Sequence, residues 1–384
     1  MAERVSLVTG RGVFAELPRL ASASRTLVVT SRGTMQRTGL GRWLPAGAEV
    51  FTEFRPNPTV CQAVSAACAR DALDAELVLG VGGGSALDVA KAARALPADP
   101  AAADEVIAAR LAPRRDGTRL VLVPTTAGTG SEVTRFATLY RGSRKVSLDA
   151  DGVQADTAVI DPALTDSCPP RLTWSCAFDA LAHAVESLWS LRSTALSRHY
   201  AETALARLVP VLFNAGDLPT EQERDRLSEA GTLAGHAIDI TRTTAAHALA
   251  YPLTAHLGVP HGFACALNLV WLVPIVERAA ADSTVDGRGA EAAGTAIDTL
   301  RRLLGGNAGG LGETIRTLLA RRGMPTGRGT GGTNPGLVGP GLVDLVVAEG
   351  LSSNRVSGMP IRLDPEQVRE SIVELLGVAC ATTG

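Results

Sequence analysis

Residues 76–96 read "ELVLGVGGGSALDVAKAARAL". A short apolar run gives way to a glycine cluster and then to apolar residues at helical spacing, the pattern of a strand, a tight loop and a helix. Such a loop lets backbone N–H groups approach a phosphate, and the helix after it turns its positive end toward the charge. The loop departs from the GxGxxG dinucleotide fingerprint, because Gly80 is followed by Gly82, Gly83, Gly84 and then Ser85. It also follows the second strand signal of the chain rather than the first. Glycines after a strand more often make only a turn, so this stretch alone leaves phosphate binding open.

Reading outward, "TLVVTS" (26–31), "RLVLVPTT" (119–126) and "TAVIDP" (157–162) are further strand signals, with helical patterns among them. Alternation of this kind predicts βαβ units and a mostly parallel sheet. "PTTAGTGSEVT" (124–134) places threonine hydroxyls and glycines directly after a strand, where a nucleotide can lie across a sheet. On its own it is equally a hydroxyl-rich helix cap, but two such loops after successive strands favour one shared ligand site. After Pro169-Pro170 the texture becomes helical. The boundary is therefore read near 165, with an α/β domain over residues 1–165 and a helical domain over 166–384. "GMPTGRGTGGTNPGLVGPG" (323–341) reads as a long loop between late helices.

Composition narrows the function. The 384 residues are 46% apolar and 20% charged with a formal net charge of −2, an ordinary globular balance with no general attraction for nucleic acid or an acidic membrane. No apolar run approaches the roughly 20 residues needed to span a bilayer, and the first residues lack a leader pattern. Six cysteines without CxxC pairs suit reduced thiols and a cytoplasmic location.

"HALAYPLTAHLGVPH" (247–261) carries three of the six histidines in an otherwise apolar stretch. Upstream, Asp179 and His183 in "FDALAHAVES" stand four apart, which stacks them on one helix face. A buried unpaired carboxylate costs several kcal/mol, so Asp179 needs a cation or strong donors. Taken alone, such a pair is more often a plain side-chain hydrogen bond. Pro252 and the Gly258-Val259-Pro260 turn predict an interrupted helix, with His261 opening a new one near His247. Asp179, His183, His247 and His261 would make a mixed N/O set suited to Fe²⁺ or Zn²⁺, the alternative being separately satisfied core histidines. His199 and His236 sit in ordinary helical contexts, and Trp174 and Trp189 read as core.

These residues resemble the iron-containing (group III) alcohol dehydrogenase family: "GGGSALDVAKA", "PTTAGTGSEVT", "DALAHAVES" and "HALAYPLTAHLGVPHG" recur in its order over roughly residues 20–275. The resemblance implies a Rossmann-like α/β N-terminal domain and an all-α C-terminal domain, the dehydroquinate synthase-like fold, with a metal in the cleft between them. It implies Asp179, His183, His247 and His261 as metal ligands. Gly82, Gly83, Gly84, Ser85 and Asp88 match the first cofactor loop, and Thr125 and Thr126 the second. A narrower similarity, in "KVSLDADGVQADTAVIDP", "DALAHAVESLWSLRSTALSRHYA" and "TRTTAAHALAYPL", is to the phosphonoacetaldehyde reductase branch, which reduces a phosphonate aldehyde to 2-hydroxyethylphosphonate. Phosphonopyruvate, uncharged aldehydes, or nucleotide binding by a decayed site are the alternatives. A homodimer or larger assembly is also implied.

Two departures refine that expectation. Many family members carry a histidine four residues after the third metal ligand, where it relays a proton; here Tyr251 stands there. A phenol is a poor base at neutral pH but a usable donor, which suits reduction. His256 or a water could substitute. After the first strand signal, "VVTSRG" puts Ser31 and Arg32 where NAD-preferring members place an acid. Ser and Arg can accept a 2′-phosphate that a carboxylate would repel, so NADPH is expected in preference to NADH. A phosphonate dianion needs cations, for which Arg135, Lys145, Arg242 and Arg355 are the candidates.

Overall fold

A computed structural model describes residues 5–114, 116–142, 144–279, 284–305, 309–324 and 340–376. The chain forms two compact units, Met1–Pro169 with Thr220–Asp239, and Pro170–Pro219 with Ile240–Gly384. The break at Pro169 lies close to the boundary read at 165. The helical segment 220–239, read above as part of the later domain, packs with the first unit instead.

In the first unit the strands are β1 (Ser6–Thr9), β2 (Thr26–Thr30), β3 (Glu49–Phe51), β4 (Leu77–Gly82), β5 (Arg119–Pro124), β6 (Phe136–Arg141), β7 (Arg144–Asp149) and β8 (Thr157–Ile160). Six of them form a sheet in the order β1-β8-β5-β4-β2-β3, every described pair parallel. Strands β6 and β7 make a separate antiparallel hairpin. The four strand signals of the sequence became β2, β4, β5 and β8. The edge strands β1 and β3 gave none, because most of their residues are exposed and carry no continuous apolar run. Val28, Leu79 and Leu122 in the sheet interior are fully buried, each worth about 1.5–3 kcal/mol.

The α-helices in the first segment of this unit are α1 (Leu17–Leu20), α2 (Arg32–Thr38), α3 (Val60–Leu73), α4 (Gly84–Ala95) and α5 (Pro100–Ile107). From β2 the chain steps outward to β3 and then returns past β2 to β4. The connections diverge there, which is where open α/β sheets hold ligands at the carboxyl ends of their strands. Thr30 pairs with Val81 and Gly82 with Pro124, so three strand ends lie level at this point.

The later helices are α6 (Pro170–Trp189), α7 (Ala195–Asn214), α8 (Glu221–Thr241), α9 (Ala245–Leu257), α10 (His261–Ala279), α11 (Ala290–Leu304), α12 (Gly310–Arg321), α13 (Pro340–Leu351) and α14 (Pro365–Leu376). All but the last residues of α8 belong to the first unit. Helix α6 is buried without interruption from Thr173 to Trp189 and forms the middle of the second unit, packed by α7 and α10. The interruption expected in 247–261 occurs at Gly258, which caps α9 in the left-handed region at φ 67°. Pro252 does not break α9, whose apolar neighbours Leu249 and Leu253 are fully buried. Helix α10 is long and apolar enough to cross a membrane by length and composition, but most of it is buried. Residues 325–339 of the expected long loop lie outside the described residues.

Candidate active site

The nucleotide loops come first in the chain. Helix α4 starts from Gly83 with no side chain capping its N-terminal N–H groups, which leaves them available to an anion. The two loops touch: a Cβ on Gly83 would meet Thr126 Cγ2 at 3.3 Å, and one on Gly84 would meet Thr129 Cγ2 at 3.2 Å. The buried Thr126 Oγ1 has no hydrogen-bond partner among the described residues. A bare backbone cradle with an unsatisfied hydroxyl beside it fits the diphosphate of a dinucleotide. Thr125 is buried and Ser85 half-buried.

Asp88, expected at the first cofactor loop, braces the two loops. Its carboxylate accepts from Ser131 Oγ at 2.6 Å and from Thr138 N at 3.0 Å, tying the first loop's helix to the second loop and the hairpin. Sequence reasoning missed Lys91, fully buried, which donates to Thr134 Oγ1 at 3.0 Å and Phe136 O at 2.9 Å. It also missed Glu132, buried against Thr232 Oγ1 at 3.0 Å. Burial pushes the carboxyls of Asp88 and Glu132 above their ordinary range, although Lys91 pulls both down. Ser31 caps α2 by accepting from Thr34 N, and the exposed Arg32 stands 3.8 Å from Glu53.

The metal-binding candidates meet in the second unit. The Nε2 atoms of His247, His183 and His261 lie 3.3, 3.7 and 3.8 Å from one carboxylate oxygen, Asp179 Oδ1. The His183 and His247 rings stack at 4.6 Å. Burial opposes ionisation of Asp179, but the charge of His183, the hydrogen bond with His247 and the charges of His261 and His247 outweigh it and hold the carboxyl well below the usual range. Three imidazoles turned onto one buried carboxylate oxygen fit a divalent ion. Donor atoms around a tetrahedral centre with bonds of ~2.1 Å stand ~3.4 Å apart, close to the spacings here.

Two further residues belong to this constellation. Glu186 Oε2 bonds His247 Nδ1, and its Oε1 accepts from Thr244 N at 3.0 Å, Ala246 N at 2.8 Å and Thr244 Oγ1 at 2.6 Å. The carboxylate selects the tautomer that leaves His247 Nε2 facing Asp179. In the sequence Glu186 shares a helix face with Asp179 and His183, but its burial is not written there. Cys265 Sγ lies 3.7 Å from His261 Nε2, and donor atoms of Asp179, His247, His261 and Cys265 all lie within 4.8 Å of one another. Burial pushes this thiol up to about 11 despite the pull of His247.

The two proton-relay candidates separate. Tyr251 stacks on His261 at 5.4 Å with the rings nearly parallel, whereas His256 Nε2 bonds Glu349 Oε2 at 3.0 Å. Of the four cations, Arg135 is held by Asp239 and Asp151, each at 3.1 Å, so its charge is already matched. Lys145 is half-buried on β7. Arg242 and Arg355 are half-buried in the metal-bearing unit. Arg242 holds the left-handed conformation at φ 61°, a strain of about 1–2 kcal/mol for a residue with a Cβ.

The family model described as iron-containing alcohol dehydrogenase matches residues 5–162, and that of the family's C-terminal region matches 173–316. A phosphonoacetaldehyde reductase of Streptomyces viridochromogenes is 34% identical over 87% of this chain and 86% of its own. A long-chain-alcohol dehydrogenase of Geobacillus thermodenitrificans is 35% identical over 62% of this chain and 61% of its own. The crystal structure of a sulfoacetaldehyde reductase from Bifidobacterium kashiwanohense, in complex with NAD⁺, superposes with a TM-score of 0.83 at 26% identity, covering 98% of both chains. The chain belongs to the iron-containing alcohol dehydrogenase family and is an NAD(P)-linked oxidoreductase with a divalent metal centre.

Proposed function

We propose that this aldehyde reductase acts on a small phosphonate carbonyl, phosphonoacetaldehyde first among them, and prefers NADPH. The observation that carries the reductase chemistry is the convergence of His183, His247 and His261 on Asp179 Oδ1, with Tyr251 stacked beside them. When bound, the divalent ion supplies Lewis-acid polarisation of the carbonyl and the nicotinamide supplies hydride. Asp179, His183, His247 and His261 would hold the ion, and Glu186 keeps His247 in the tautomer that does so. Tyr251 Oη donates the proton to the product oxygen, and its contact with His261 favours it over His256.

Support for an anionic substrate comes from two relatives whose aldehydes carry a phosphonate or a sulfonate. Arg242 and Arg355 are the better placed anion partners, because both belong to the metal-bearing unit, whereas Arg135 belongs to the nucleotide unit. Phosphonopyruvate remains the second substrate of the same chemistry. The NADPH preference rests on Ser31 and Arg32, with no acid at the end of β2.

The test is NADPH consumption on phosphonoacetaldehyde, phosphonopyruvate and propanal, by the native chain and by Arg242→Glu. A charge-assisted contact of about 1.5–3 kcal/mol corresponds to ~10–100-fold in KM. The reversal is expected to raise KM by that factor for the phosphonates and to leave propanal nearly unchanged. Equal effects on both classes would remove Arg242 from the anion pocket, and equal turnover by the native chain would remove the phosphonate.

A further inference from the structure

Three helices each bring an i, i+4 pair to one centre. Helix α6 contributes Asp179 and His183, α9 contributes His247 and Tyr251, and α10 contributes His261 and Cys265. Residues at this spacing share a helix face, so the direction that aims His261 at Asp179 also aims Cys265 at the cluster. Cys265 is fully buried, its Sγ lies 3.7 Å from His261 Nε2, and it falls within 4.8 Å of donor atoms of Asp179, His247 and His261. Around an ion with bonds of ~2.1 Å to nitrogen and ~2.3 Å to sulfur, neighbouring N and S donors stand ~3.1–3.6 Å apart as the angle opens from the right angle of five-coordination to the tetrahedral one.

We propose that Cys265 Sγ is itself a ligand of the divalent ion, so that this chain's centre combines carboxylate, imidazole and thiolate donors. The inference rests on the metal-centre reading of Asp179, His183, His247 and His261 and deepens it. Its chemical consequence is selectivity. A thiolate is a soft donor that suits Zn²⁺ better than Fe²⁺. Two anionic donors, Asp179 and Cys265, also balance the charge of a dication within a buried site. The rival description is a thiol that hydrogen-bonds an imidazole beside an ion it never touches.

Cobalt distinguishes them without reference to turnover. The full-length protein is stripped of metal and loaded anaerobically with Co²⁺. Visible ligand-field bands then report that the cluster holds an ion, and a sulfur-to-cobalt charge-transfer band in the near ultraviolet reports the thiolate. The expected result is both bands in the native chain and in the double variant Cys61→Ser, Cys68→Ser, which removes two exposed thiols. Cys265→Ser is expected to keep the visible bands and lose the ultraviolet one. Visible bands without the ultraviolet band, or an ultraviolet band that survives Cys265→Ser, would overturn the inference and leave the other four ligands standing. Failure to take up cobalt would overturn both readings. Should the serine variant fail to fold, X-ray absorption at the zinc edge of the native protein decides: a sulfur shell at ~2.3 Å is expected, and its absence refutes thiolate ligation.

Discussion

Gly262 lies so close to helix α6 that a Cβ on it would stand 1.8 Å from the carbonyl oxygen of Ser175 and 2.7 Å from Asp179 N. No side chain can occupy that space, so the start of α10 seats directly on the α6 backbone. The glycine follows His261 and abuts Asp179, and thereby sets the distance between two metal-binding candidates. Gly262→Ala must push the helices apart. A displacement near 1 Å can lower kcat/KM by ~100-fold, and overpacking typically costs about 1–3 kcal/mol of stability. Metal content, kcat/KM and Tm of the purified variant check this; native values in all three would show that the close approach does not position the site.

Glu186 is fully buried and accepts from His247, Thr244 and Ala246. Glu186→Gln keeps the volume but removes the charge that orients His247. Metal affinity is expected to drop ~10–100-fold, as for other outer partners of a ligating histidine, while the fold survives. Titration of the apoprotein with Zn²⁺ measures it, and undiminished affinity would separate Glu186 from the centre.

Glu132 gives a pH-dependent expectation. Burial raises its carboxyl in the folded state, so the native protein keeps that proton to a higher pH than the unfolded chain does. Stability from this group therefore falls as pH rises from the ordinary carboxylate range through the folded value. Glu132→Gln abolishes the titration and can still accept from Thr232. The variant is expected to gain in Tm relative to the native protein as pH rises, with the gap closing in acid. A gap independent of pH between 4 and 8, spanning the ordinary value of ~4.3, would contradict the assignment.

Ser31 caps α2 at the end of β2, beside the first glycine loop, with Gly82 close to Thr34. An acid there would repel a 2′-phosphate and accept from ribose hydroxyls instead. Ser31→Asp is expected to raise KM for NADPH by ~10–100-fold, the equivalent of about 1.5–3 kcal/mol, and to lower KM for NADH. Parallel changes for both cofactors would rule out this position as the discriminator.

Most of the nucleotide unit was legible because its inner strands are buried on both faces and read as unbroken apolar runs. β1 and β3 lacked that signature, and the β6–β7 hairpin is only partly buried. Asp179, His183, His247 and His261 stood out as costly polar residues in apolar stretches. Glu186 and Cys265 did not: a glutamate near a helix end looks solvated until burial is known, and a cysteine in a core helix looks like a small apolar residue. Packing across three helices gives both their meaning, and no local pattern contains that information. The destination of 220–239 was hidden for the same reason. Its helical period was plain, but the closeness of Gly231 and Gly235 to the Gly128–Gly130 loop appears only after folding.

That last helix has a consequence for inheritance. Because the polypeptide leaves the nucleotide unit at Pro169 and comes back for Thr220–Asp239, neither half is one uninterrupted stretch of gene. A fragment ending at 169 would leave Gly130 without the glycine it abuts, a Cβ on Gly235 having only 2.7 Å to Gly130 Cα. Swapping nucleotide modules among relatives by a single crossover should therefore yield misassembled chimeras. Grafts that also transplant 220–239 should yield soluble ones.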